Sequence, residues 1–325
     1  MASPFDDFEV ERALRPSPGA QTFDLEAALD SLVVLHARVP EDAYTAETLG
    51  VQRLGNGIVI GENGLVLTIG YLTTEADDVT LITNDGRPVP AHVLGQDQVT
   101  GFGLVHALEP LGLPALPMGD SRRLETGAHI VLDGGGGLAH AMAGRLIARA
   151  PFAGYWEYLL KEALFTRPGH PHWSGAALIG PTGELMGVCS LQMNEQTPDG
   201  STPLINMSVP IELLPPILDD LSRGQLGRAP RPWLGVISQE VASRVVVADV
   251  SAGGPAARAE LRRGDVILEV AGQRVTSLSD FYTRLWALGP AGVVAPLRLR
   301  REDDVFDVEI RTADRASRLR KRRLN

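Results

Sequence analysis

The chain has 325 residues and a formal charge of -10 at pH 7, from 30 Lys and Arg against 40 Asp and Glu. That length supplies core material for about two compact domains, and the negative balance repels phosphate backbones, which argues against nucleic-acid binding. With 35 glycines, 23 prolines and few apolar stripes at helical spacing, a mostly β architecture rich in turns is expected.

Residues 1–24 are rich in Pro, Ser and Asp, and 25–30 suit a short helical turn, so 1–30 read as an N-terminal arm. The first residues carry early acids and neither a basic nor an apolar leader region, and no run of about 18 apolar residues occurs. No signal peptide, no transmembrane segment and a cytoplasmic location are expected.

Strand signals begin at Ser31–Val39. Gly57–Ile60 and Leu65–Thr68 form a predicted hairpin over Glu62-Asn63-Gly64, where Asn-Gly favours a tight primed turn. Val79–Ile82 and Val89–Leu94 flank Asn84-Asp85-Gly86 in a second. Short strands continue to about Pro210 with no helix-length pattern between them, which suits an antiparallel barrel or sandwich and disfavours βαβ units. Leu213, Leu214, Ile217, Leu218 and Leu221 then recur at helical spacing, so a closing helix is predicted over 211–221, with Pro215-Pro216 in its first turn. Residues 223–231, rich in Gly, Pro and Arg, read as an interdomain linker.

A second unit follows over 232–312. Trp233–Ser238 and Arg244–Val250 are predicted strands, Gly254-Pro255 opens a short helix, and Asp265–Val270 with Gln273–Val275 makes a hairpin over Ala271-Gly272. Ser279 is the expected cap of a helix carrying Phe281, Leu285 and Leu288 on one face. Val293–Arg300 and Asp304–Ile310 close the unit as an antiparallel pair. Residues 313–325 form a basic tail (Arg315, Arg318, Arg320, Lys321, Arg322, Arg323), read as solvated, with an acidic partner or membrane surface as the alternative.

Several features carry little chemistry. Cys189, the single cysteine, lies in an apolar stretch and reads as a buried inert thiol, so no disulfide or cysteine-based metal site forms within one chain. Gly134–Gly137 lacks the Gly-Lys-Ser/Thr of a phosphate loop and reads as a barrel loop. His170 and His172 have no third ligand at metal-site spacing. No metal and no cofactor are expected, and Tyr155, Trp156 and Tyr158 are assigned to core or interface.

The strings Gly55-Asn56-Gly57-Ile58-Val59-Ile60, Leu113–Ser121, Trp173-Ser174-Gly175 and Met207–Leu213 follow in order the landmarks of the HtrA/DegP serine proteases, and Leu261–Gly272 resembles the central signature of that family's PDZ domains. The resemblance implies a trypsin-like double six-stranded β-barrel over 31–222, followed by a PDZ domain. It also implies a homo-oligomer, commonly a trimer.

Serine hydrolysis needs a hydroxyl nucleophile, an imidazole base and a carboxylate that orients the base. Carried over by string, Ser174 stands at the nucleophile position. Tyr71, in Thr68-Ile69-Gly70-Tyr71-Leu72, stands at that of the histidine, and Gly101, in Asp97–Leu104, at that of the aspartate. A phenol of pKa near 10 stays protonated at neutral pH and does not replace imidazole. The oxyanion-hole region is His172-Trp173-Ser174, where His172 replaces the glycine that supplies an N–H in the family. Loss of triad members lowers kcat by roughly 10⁴–10⁶-fold.

The resemblance further implies that polypeptide C-termini bind as an added strand, with the carboxylate on the N–H groups of Trp233-Leu234-Gly235-Val236 and the groove walled by Ile237, Ser238, Phe281 and Leu285. The expected function is a pseudoprotease acting as a polypeptide-binding, scaffold or chaperone-like protein. The alternatives are an active endopeptidase with a non-standard base and a purely structural oligomer subunit.

Overall fold

The computed structural model describes residues 9–197, 200–225 and 228–320. These fall into two units: the residues up to Ala150 with those from Glu162 to the linker, and Pro151–Lys161 with the residues from the linker to Arg320.

In the first unit, α1 (Leu25–Leu29) starts at Asp24, whose carboxylate accepts the N–H of Ala27. Strands β1 (Leu32–Arg38), β2 (Gln52–Gly61) and β3 (Leu65–Ile69) follow, with the short helix α2 (Ala46–Leu49) between the first two and the helical turn α3 (Gly70–Thr73) after the third. With β4 (Asp78–Ile82), β5 (Pro88–Gln96) and β6 (Phe102–Ala107) they close into a barrel of order β1-β2-β3-β6-β5-β4. Closure leaves no unpaired edge. Alternation sets its interior: Val89, Ala91 and Val93 of β5 are buried while Pro88, Pro90 and His92 face out, and they pack with Val33, Leu35, Val66 and Leu81. Each of these valines and leucines contributes about 1.5–3 kcal/mol on burial.

A second barrel, of order β10-β11-β12-β9-β8-β7, is built from β7 (His129–Asp133), β8 (Met142–Gly154), β9 (Tyr158–Arg167), β10 (Ala177–Ile179), β11 (Leu185–Asn194) and β12 (Leu204–Pro210). Ile130, Leu132, Leu146, Leu164, Leu178 and Met186 form a core cluster there. The predicted helix over 211–221 is broken. Ile211–Leu213 and Pro215–Ile217 are 3-10 turns and only α4 (Leu218–Ser222) is α-helical. Pro215 and Pro216 have no N–H to donate to carbonyls one turn back, so a continuous α-helix cannot form across them even though Leu214 keeps a helical backbone, which explains the break.

The Asn63-Gly64 turn also differs from expectation. Gly61 pairs with Leu65, so the loop has three residues and Gly64 takes the left-handed conformation at φ 84°. Ala271 and Gly272, at φ 50° and 74°, do make the two-residue primed turn.

In the second unit, β13 (Val236–Val241), β14 (Arg244–Val250), β15 (Val266–Val270), β17 (Val294–Arg301) and β18 (Asp304–Arg311) form a sheet in the order β13-β14-β15-β17-β18, with β16 (Gln273–Arg274) paired to β15. Helices α5 (Pro255–Arg258) and α6 (Leu278–Ala287) cover it, burying Leu278, Phe281, Tyr282 and Leu285 against Val247, Ile267, Leu297 and Leu299. The cap of α6 is Ser277 rather than Ser279, since the Ser277 hydroxyl accepts the N–H of Asp280.

The basic tail is described as far as Arg320. Arg315–Arg318 form a turn capped by Asp314, and Arg318 donates to the carbonyls of Ala252 and Gly253. Lys321, Arg322 and Arg323 lie outside the described residues. Among the described residues no helix is long and apolar enough to cross a membrane.

Candidate active site and peptide groove

In the first unit, β3 delivers the chain to α3, where the N–H of Gly70 bonds the carbonyl of Gly101 at 2.7 Å. Tyr71 follows on that turn, held from behind by Arg53, whose buried guanidinium donates to the carbonyls of Tyr71 (2.7 Å) and Thr74 (2.8 Å). Glu75, buried at φ 61°, accepts from the N–H groups of Tyr44 and Thr45 in the same layer. Sequence reasoning missed Arg53 and Glu75, because nothing local marks a buried guanidinium whose partners lie 18 and 21 residues away.

The Tyr71 hydroxyl lies 2.7 Å from Ser174 Oγ and 3.0 Å from the carbonyl of Ser190, to which it donates. With its one proton on that carbonyl, the phenol oxygen accepts the proton of Ser174. Burial pushes the phenol's pKa well above its ordinary value, outweighing the Ser174 bond that lowers it. The neutral form therefore persists, and a neutral phenol oxygen does not take a serine proton.

Gly101 sits at φ 86° at the end of a turn opened by Asp97, whose carboxylate accepts from the N–H and hydroxyl of Thr100 at 2.8 and 2.7 Å. That carboxylate belongs to its own turn. The position the resemblance gives to the orienting acid thus has no side chain and a backbone that favours glycine.

The Ser174 loop is tied down by main-chain bonds. Asn56 donates its N–H to the Ser174 carbonyl at 2.8 Å and its side-chain amide to the carbonyls of His172 and Ser174, both at 2.9 Å. Gly175, at φ 78°, has no room for a side chain: a Cβ there would stand 2.2 Å from the Asn56 carbonyl.

The N–H of His172 is donated to Nδ1 of His170 at 3.1 Å, so it is committed within the loop. His170 in turn places Nε2 on the carbonyl of His140 at 2.7 Å, and burial keeps its ring neutral by lowering its pKa. Both nitrogens of His170 are therefore engaged away from Ser174. His172 stacks on His140 with ring centroids 6.5 Å apart, and burial and then the neighbouring His170 and His140 lower its pKa to about 4. Trp173 packs its ring 6.4 Å from that of Tyr71. Among the described residues no group of three His, Cys, Asp or Glu could hold a metal ion. Cys189 is buried on β11, which pushes its thiol up to about 12.

In the second unit, Trp233 is fixed by paired bonds with Ala313, both 3.0 Å, and Gly235 turns the chain at φ 79°. The N–H groups of Leu234, Gly235 and Val236 then point to one spot, where the carboxylate of Glu157 accepts all three at 3.0, 2.7 and 3.1 Å. Along β13, the N–H of Ser238 donates to the carbonyl of Tyr155 at 3.0 Å. Ile237 is half-buried on the same strand, while Phe281 and Leu285 are wholly buried in the unit's core. The α6 residue that reaches the Glu157 segment is Tyr282, missed in the sequence; its hydroxyl donates to the carbonyl of Gly154 at 2.8 Å and accepts the N–H of Glu157 at 3.2 Å. Its spacing from Leu278 and Leu285 on the helix was the available signal.

Residues 55–188 match the trypsin-like peptidase domain family and residues 232–312 the PDZ domain family. The chain is 29% identical over 278 residues to a probable periplasmic serine endoprotease, DegP-like, of Halomonas elongata, covering 80% of this chain and 56% of that protein. It is 27% identical over 278 residues to the serine endoprotease DegS of Escherichia coli, covering 81% and 77%. The chain thus spans little more than half the length of the first relative.

Among solved structures, the HtrA-type protease AlgW with a decapeptide superposes with TM-score 0.54 at 21% identity, covering 92% of this chain and 99% of that one. The serine endoprotease from Yersinia pestis gives 0.52 at 23%, covering 90% and 98%. At such identities the likeness concerns the fold. The expected cytoplasmic location is overturned: relatives of similar sequence are named periplasmic endoproteases, and the composition of the first residues does not assign a compartment. The chain is a trypsin-like peptidase domain joined to a PDZ domain, a homologue of the HtrA, DegS and DegP serine endoproteases.

Proposed function

We propose that this chain is a periplasmic polypeptide-binding member of the HtrA group whose barrel does not hydrolyse peptides. The observation that carries the reading is the 2.7 Å pair between Tyr71 and Ser174, with the same phenol donating to Ser190. A nucleophile needs a base to take its proton, and here the partner is a neutral phenol that itself needs a proton acceptor. Gly101 offers nothing to orient a base, and the committed N–H of His172 weakens oxyanion stabilisation. Recognition then falls to the groove between β13 and α6, which takes carboxylate-ended polypeptide on the N–H groups of residues 234–236. The likeness to AlgW bound to a decapeptide supports that use. Assembly as a homo-oligomer follows from the HtrA resemblance.

Casein hydrolysis by the purified full chain, beside its Ser174→Ala variant, tests the barrel. The reading expects both to match buffer; turnover by the parent that vanishes in the variant overturns it.

A further inference from the structure

The tip of the β8–β9 hairpin, which belongs to the second unit, fills the carboxylate loop as a peptide end would. Strand addition to a sheet edge needs main-chain bonds along the strand and, where a chain terminus is read, a carboxylate at its end. Tyr155 provides the first through its carbonyl on Ser238, and Glu157 provides the second on three successive N–H groups. The carboxylate is a side chain. Glu157, at φ 60°, lets the main chain turn back into β9 instead of ending there.

Three further contacts hold the turn. Tyr282 bonds Gly154 and the N–H of Glu157, Trp156 stacks on Tyr158 with centroids 5.5 Å apart, and Arg315 donates to the carbonyl of Trp156 at 3.3 Å. Glu157 is buried. Burial pushes its carboxyl up to about 7, against the pull of the three N–H groups and Arg315.

We propose that Tyr155-Trp156-Glu157 is a built-in occupant of the peptide groove, so that a carboxylate-ended polypeptide binds only by displacing this hairpin tip. The proposal rests on the peptide-binding reading above. The loop reads a carboxylate through main-chain N–H groups, so a side-chain carboxylate and a terminal one compete for the same donors. An occupant docked nine-tenths of the time raises the apparent Kd of an incoming peptide about tenfold.

The test uses the full chain and a fluorescein-labelled peptide ending Phe-Ala-Gly-Tyr-Trp-Val with a free carboxylate, which copies the hairpin's approach, beside its C-terminal amide. Fluorescence anisotropy is read on the parent, on Glu157→Gln, and on Tyr282→Phe, which loosens the turn without touching the carboxylate. Hydrogen exchange of the amides of residues 234–238 reports occupancy of the loop. The expected result is about tenfold tighter binding of the free-carboxylate peptide to both variants, faster exchange of those amides without peptide, and no binding of the amide. Equal affinity for parent and variants overturns the displacement proposal and leaves the groove as a peptide site. Failure of all three proteins to bind, with the loop amides exchanging fast in the variants, overturns the peptide-binding reading and the proposal with it.

Discussion

The Ser174 loop and the carboxylate loop are both shaped by a glycine at positive φ and by main-chain hydrogen bonds, yet they differ in what their use asks of the side chains around them. Gly175, at φ 78°, sets the turn after Ser174, and Gly235, at φ 79°, sets the turn that gathers three N–H groups. Around Ser174 the backbone is in place, and the residues that the HtrA resemblance sets at the positions of base, acid and oxyanion glycine are Tyr71, Gly101 and His172. Around Gly235 a carboxylate sits on all three donors. Binding through main-chain N–H groups needs only a backbone shape, whereas proton transfer needs particular side chains. On the proposed reading, a few substitutions remove the second and spare the first.

Three changes probe that contrast, from the largest effect down. Gly175→Ala forces a Cβ toward the Asn56 carbonyl in a backbone conformation that alanine resists. It is expected to cost roughly 3 kcal/mol or more, read as a lower Tm and poor recovery of folded protein. A Tm unchanged from the parent would mean that the Ser174 loop is not held as described.

The second concerns Asp133, wholly buried at the end of β7, where its carboxylate has only the main-chain N–H groups of Gly134 and Gly135 nearby. Burial pushes its carboxyl up to about 8, and the nearby N–H groups of Gly134 and Gly135 lower it only in part. Between its ordinary value near 3.8 and about 8, the unfolded chain ionises this group while the folded one keeps the proton. Stability from Asp133 is thus full below pH 4, falls as pH rises, and is lost above about 8. At about 1.4 kcal/mol per pKa unit, the window spans a few kcal/mol. Asp133→Asn should flatten the decline in Tm between pH 5 and pH 8; an unchanged slope would place the titration elsewhere.

Gly235→Ala is milder, since the added Cβ meets the Trp233 ring at 3.1 Å and Ser251 Cβ at 3.4 Å, both side-chain atoms, in a left-handed turn. A loss of about 1–2 kcal/mol is expected, with faster hydrogen exchange at Leu234 and Val236. Preserved protection would show that the loop does not depend on that turn.

Much of this architecture was legible in the sequence. Alternating strands, glycine-bearing turns and the Leu261–Gly272 string gave the two-domain plan, and the string around Tyr71 pointed to the side chain that meets Ser174. Regular helix across Pro215-Pro216 was overread, because leucine spacing persists where proline forbids the hydrogen bonds. Glu157 was out of reach: an acid in a hairpin turn carries no local mark, and its partners lie 77 to 79 residues on. Tyr155 and Trp156 were assigned to core or interface, while their carbonyls are what bond Ser238 and Arg315.

The central claim, that Ser174 has no base, is tested most directly by reacting the full chain with a fluorophosphonate probe at pH 7 and mapping the labelled residue. A serine whose proton rests on a neutral phenol should stay unlabelled, with parent and Ser174→Ala indistinguishable. Time-dependent labelling at Ser174 that disappears in the variant would contradict the account.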